Sequence, residues 1–183
     1  MWFPDRGWPT YAVIACAAAA LDLVTKSLLF ARLGMPGTAP PIVIVPHALA
    51  LETNLNEGAL FGMGQGMGTL FAAVSCLAIA GILATVSRPT VRREPWLIVA
   101  LGLITGGILG NLYDRLGLPG LRWHAPLGRV GDPVFAVRDW IHFRLESIID
   151  WPIFNLADTW LVIGAGLLIL LSFTATPAAP DAS

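Results

Sequence analysis

The chain has 183 residues, 56% of them hydrophobic and 13% charged, with a formal net charge of −1 and a mean hydropathy of +0.71. About a quarter of the residues of an ordinary soluble domain are charged, so a soluble globular fold is excluded, and the near-zero charge points to no nucleic-acid partner. Cys16 and Cys76 lie in separate apolar runs and form no CxxC pair, which excludes a disulfide framework and thiol redox chemistry.

Four apolar runs reach the roughly 17–25 residues that a helix needs to cross the hydrocarbon core. The first, Tyr11–Leu33, follows Arg6 and contains "CAAAA", as a secretory signal would. Its apolar character resumes after Lys26 through Phe30, past a normal h-region, which predicts a retained helix. Asp22 and Lys26 stand one turn apart on a shared face of it. They pair either to tie this helix to its neighbours or to take part in chemistry.

The next segment, "GMPGTAPPIVIVPHALALETNLNEGALFGMGQG", contains a β-branched stretch after a Pro/Gly cluster, a strand signal. Asn56 sits on its strand-like end, either as a group that holds a substrate backbone or as a turn residue before Gly58. Phe61, Met63 and Met67 read either as an acyl groove or as lipid-facing packing. The second run is Met67–Val86 and the third Pro95–Leu112. Between them "SRPTVRREP" packs Arg88, Arg92 and Arg93 into a short hairpin, which places that hairpin, and both termini with it, in the cytoplasm. Arg32, Arg115, Arg122, Arg129, Arg138 and Arg144 lie on the other side, spread over long loops where the charge rule weakens.

The third run ends "GLITGGILGNLYDRL". Gly102, Gly106 and Gly110 recur every fourth residue and make a smooth face for a close helix contact. Asn111 and Asp114 then share a face, with Arg115 a candidate local ion partner for Asp114. In the long segment 117–153, "DWIHFRLE" alternates, setting Ile141, Phe143 and Leu145 on one face with Asp139, and His142, Arg144 and Glu146 on the other. "FNLADTW" opens the fourth run, Leu156–Phe173, with Asn155 and Asp158 on one face. Either residue suits a helix cap, but a cap needs one and this helix has two. The final "TPAAPDAS" reads as a disordered tail over 176–183. Acids and amides at membrane depth are costly and usually functional, and their convergence on one surface marks a candidate site.

Five blocks in order resemble signal peptidase II, the prolipoprotein signal peptidase of bacteria: "DLVTK" (22–26), "NEGALFG" (56–62), "GGILGNLYDR" (106–115), "VRDWIHF" (137–143) and "PIFNLADTW" (152–160). The resemblance covers nearly the whole chain. It implies an all-α integral membrane fold of four transmembrane helices with a small extracytoplasmic β cradle, in a single domain over 1–183. It implies an aspartic endopeptidase with Asp139 and Asp158 as the catalytic pair. Asp22, Lys26, Asn56, Gly58, Asn111, Asp114, Arg115 and Asn155 fall on the family's supporting positions. The implied substrate is a lipoprotein precursor cut just before a diacylglyceryl-modified cysteine. The implied setting is the bacterial inner membrane, with the site near the outer face and the chain a monomer among membrane lipids. The segment between the third and fourth blocks is longer than is usual in the family, and Arg138 and Trp140 flank Asp139.

Two carboxylates in one site share a proton, so one can take a proton from water while the other donates to the scissile carbonyl. No cofactor is called for, and no metal: His47, His124 and His142 are scattered and make no HExxH. The rival readings are a small proton or ion transporter and an inactive homologue that only binds lipoprotein precursors. A presenilin-like or rhomboid protease would need GxGD or GxSG, which the chain lacks.

Overall fold

The computed structural model describes residues 6–58, 67–145 and 148–174. Phe61, Met63, Glu146 and the 176–183 tail lie outside the described residues. Four helices are long and apolar enough to cross a bilayer: α1 (Gly7–Leu33), α2 (Gly68–Val86), α4 (Pro95–Arg115) and α5 (Leu156–Thr174). A single turn, α3 (Pro89–Arg92), fills the hairpin between α2 and α4. All four expected spans are present. Two run several residues further than apolarity alone indicates, and α5 one residue further. α1 begins at Gly7, and α4 continues to Arg115, so Asn111 and Asp114 lie inside its last turns instead of after them.

α4 is the central helix because its glycines let two neighbours come close. A Cβ added at Gly106 would stand 2.5 Å from the Ala18 Cβ, one at Gly102 would stand 2.9 Å from Ile14, and one at Gly110 would strike the Asp22 carboxylate. Those three face α1. Gly107 faces α5, where a Cβ would meet the Ala157 carbonyl at 2.5 Å. Tyr11, Val86, Ile98 and Leu101 form a buried cluster near the α2–α4 hairpin, and the Tyr11 hydroxyl bonds Thr105 Oγ1 at 2.9 Å. Arg92 closes the end of α2 by donating Nη1 to the carbonyls of Val86 and Ser87 at 3.2 and 2.5 Å. Cys16 and Cys76 are both exposed on helix surfaces.

At the opposite end lies an antiparallel sheet of β1 (Ile42–Val45), β2 (Leu49–Asn56), β3 (Val137–Leu145) and β4 (Ile149–Asp150), in that order. β2 and β3 pair Asn54 with Asp139 and Asn56 with Val137. The "PIVIV" strand is present as β1. The alternation expected of β3 is not what its burial follows. Val137, Arg138 and Asp139 are all buried, Trp140 to His142 half-buried, and Phe143 to Leu145 exposed. The strand starts packed against α1 and α4 and emerges toward its end. Segment 117–136 leaves α4 through Gly117 at φ +70°, a left-handed turn that suits glycine. It folds back with a bridge between Arg122 and Pro133 and a 3₁₀ turn at Leu127–Arg129.

Candidate active site

Where the helix bundle meets the sheet, the polar residues singled out in the sequence gather into one network. Lys26, on α1, is its cationic centre and is fully buried. Its Nζ lies 2.7 Å from Asp22 Oδ2 and 3.1 Å from Asp114 Oδ2, and donates to Asn111 Oδ1 at 2.9 Å. Asp22 in turn accepts the Ala157 backbone N–H at 2.9 Å, tying α1 to the first turn of α5. A buried cation with two carboxylates and an amide around it meets the condition for tolerating charge in a dry interior.

Asp114 is held by Arg138, not by Arg115. Arg138 donates Nε to Asp114 Oδ1 at 2.8 Å and its backbone N–H to Oδ2 at 3.1 Å. Successive strand residues point to opposite faces, so Arg138 turns toward Asp114, Ser27 and Phe30 while Asp139 turns the other way. Arg115 reaches instead to the Gly58 carbonyl at 3.2 Å and lies over the Phe71 ring at 5.3 Å.

Two asparagines connect this network to Asp139 and Asp158. Asn111 accepts from Lys26 and donates Nδ2 to Asp158 Oδ1 at 2.8 Å. Asn155 donates Nδ2 to Asp139 Oδ1 at 2.6 Å and to Asn111 Oδ1 at 3.2 Å. The Asn56 side chain also hydrogen-bonds Asp139, while Asn56 Oδ1 accepts the Gly58 N–H at 3.0 Å. Asp139 is 1% exposed, and its Oδ2 has no hydrogen-bond partner among the described residues. Burial, and after it the nearby charge of Asp158, push the Asp139 carboxyl up to about 8.

Asn155 and Asp158 also form a reciprocal cap. The Asp158 N–H donates to Asn155 Oδ1 at 3.0 Å, and the Asn155 N–H donates to Asp158 Oδ2 at 3.3 Å. That is a capping box, with the N-cap and third helical residues satisfying each other's backbone. The presence of two polar residues at the helix start is therefore no surplus over capping: the same two groups cap α5 and face the buried carboxylate.

Every candidate residue thus falls in this cluster or directly beside it: Asp22, Lys26, Asn56, Gly58, Asn111, Asp114, Arg115, Asp139, Asn155 and Asp158. Sequence reasoning did not single out Glu57 and Arg129, which form an ion pair at 2.8 Å next to Asn56. They stand far apart in the chain, with no spacing to connect them. Met67 lies exposed at the start of α2.

Four apolar spans with a buried polar network gathered at one end define an integral membrane protein with a candidate active site. Residues 14–174 match the family model described as signal peptidase (SPase) II. A protein named lipoprotein signal peptidase from Rhodopirellula baltica is 42% identical over 176 residues, covering 93% of this chain and 74% of its own. One of the same name from Symbiobacterium thermophilum is 38% identical over 158 residues, covering 86% and 90%. A solved bacterial membrane enzyme superposes with a TM-score of 0.73 at 25% identity, covering 96% of this chain and 95% of that one. The chain belongs to the signal peptidase II family.

Proposed function

We propose that this chain removes the signal peptide from diacylglyceryl-modified lipoprotein precursors, as an aspartic endopeptidase with Asp139 and Asp158 as its catalytic pair. The observation that supports the pair best is their unequal setting. Asp139 is buried, has one oxygen without a partner among the described residues, and with its carboxyl raised to about 8 keeps its proton at neutral pH. Asp158 sits in the first turn of α5, accepts two N–H bonds and lies where the helix dipole favours negative charge. Asp158 then takes a proton from the attacking water, and the neutral Asp139 donates to the scissile carbonyl oxygen as the tetrahedral intermediate forms. When the intermediate collapses and the C–N bond breaks, the proton gained by Asp158 passes to the leaving amine, which becomes the free amino terminus of the lipidated cysteine, and the carbonyl oxygen returns its proton to Asp139. Lys26, Asn111 and Asn155 keep the two acids apart in role by fixing their orientation. Asn56 is placed to hold the substrate backbone.

The sheet end faces outward and both termini lie in the cytoplasm of a bacterial cell, with the inner membrane as the setting. Arg88, Arg92 and Arg93 at the opposite, hairpin end support this orientation. The same reading takes the enzyme to be a monomer among membrane lipids. A transporter is not favoured, because the acids collect at one end of the bundle instead of lining a path through it.

The test is cleavage of a purified lipidated precursor by wild type, Asp139→Asn and Asp158→Asn, with the unlipidated precursor as control. Wild type should cut the lipidated form alone and both variants should bind it without cutting. Near-normal cleavage by either variant would remove that residue from the pair.

A further inference from the structure

Arg129 and Glu57 form an ion pair that the chemistry above does not use. Arg129, in the 3₁₀ turn of segment 117–136, donates Nη1 to Glu57 Oε2 and Nη2 to Glu57 Oε1, both at 2.8 Å. Its guanidinium lies 4.2 Å from the centre of the Trp123 ring. Most exposed ion pairs contribute little, but a two-pronged guanidinium–carboxylate contact stacked on an indole is fixed in direction as well as strong. The bond draws Glu57 below the usual carboxylate range.

Glu57 stands between Asn56 and Gly58, and the turn they make is held at three points. Arg129 grips the Glu57 side chain, Arg115 takes the Gly58 carbonyl, and the Gly58 N–H bonds Asn56 Oδ1. With that oxygen engaged, the Asn56 amide nitrogen is the group left to donate to Asp139. Direct contacts therefore run from Trp123 through Arg129, Glu57 and the Asn56–Gly58 turn to Asp139.

We propose that Arg129 is a positioning residue: its grip on Glu57 holds the Asn56–Gly58 turn against Asp139 and so orients the reacting carboxyl. The segment 117–136 thereby serves the reaction from outside the site. This inference rests on the Asp139–Asp158 reading.

The experiment measures kcat, KM, the pH profile of kcat and the melting temperature of wild type, Arg129→Gln, Glu57→Gln and the double variant on a lipidated precursor, with Asp139→Asn alongside. Each single variant should lose about tenfold in kcat, as expected when a reacting group is slightly misplaced, with KM little changed. The double variant should be no worse than the weaker single, because both cut one connection. The alkaline limb of kcat should move to higher pH in all three, since a carboxylate that loses a donor holds its proton more tightly. Arg129→Lys, which keeps the charge without the fork, should recover part of the loss. Wild-type kcat and limb in the single variants would overturn the proposal, as would losses that add in the double variant or that track a fallen melting temperature. Cleavage by Asp139→Asn would sink the catalytic pair and this inference together. An inactive Asp139→Asn beside an unaffected Arg129→Gln would sink this inference alone.

Discussion

At the scale of single residues, the proposed mechanism turns on the proton of Asp139. Its carboxyl, raised to about 8, is neutral below that pH and ionises as the pH rises through it. Ionisation would set a second negative charge near Asp158 and remove the proton meant for the carbonyl oxygen. kcat should therefore fall on the alkaline side around pH 8, as a pH–rate profile will show. Lys26 sets a separate expectation. It is fully buried between Asp22 and Asp114, so Lys26→Met leaves Asp22 without a cation and Asp114 with Arg138 alone, and should cost about 3–5 kcal/mol, read as a lower melting temperature in detergent. The identities of these residues were legible in the sequence, because a charge in an apolar run is conspicuous. Their partners were less so. Asp114 and Arg115 are neighbours in sequence, but consecutive helical residues do not face each other. Asp114 therefore met Arg138 from β3, and Arg115 met Gly58.

At the scale of elements, the faces of α4 carry the fold. Gly106→Leu would drive a side chain into Ala18 and the backbone of α1, and should destabilise by about 1–3 kcal/mol or more. Gly81→Ala on α2 has nothing within 4 Å to meet and should be neutral or stabilise by up to about 1 kcal/mol. Thermal unfolding of the two variants in the same detergent separates a packing glycine from an idle one. The spacing of Gly102, Gly106 and Gly110 made the close contact legible, since a four-residue period marks one helix face. The course of β3 was not legible. Period-2 alternation presumes one wet face, and Val137–Asp139 has none, because all three of its residues are buried. α5 shows the converse: a cap and a site look alike in sequence when, as with Asn155 and Asp158, the same atoms serve both.

At the scale of the whole molecule, the buried polar network lies at one end and the compact basic hairpin of Arg88, Arg92 and Arg93 at the other. With Cys16 and Cys76 replaced, Val43→Cys on exposed β1 should react with an impermeant maleimide added outside the cell. Arg93→Cys in the hairpin should react only after the membrane is opened. Labelling of Arg93→Cys from outside would invert the orientation proposed here. The number of spans was legible from hydropathy alone, and the site's place at the sheet end followed once the polar residues were assigned to helix ends. The grip of segment 117–136 on the Asn56–Gly58 turn was not, because Glu57 and Arg129 are joined only by the fold.

The spacing of Asp22 and Lys26 also bears on how such a chain comes to be built. During synthesis α1 meets the lipid before Asp114, Asn111 or Ala157 has been made. A lone lysine or aspartate at that depth would oppose insertion by roughly 2.5–3.5 kcal/mol. One turn apart and 2.7 Å from contact to contact, the two neutralise each other within a single helix. The first span thus brings its own counter-ion into the bilayer, and the intact pair gains Asp114, Asn111 and the Ala157 N–H as further partners once α4 and α5 arrive.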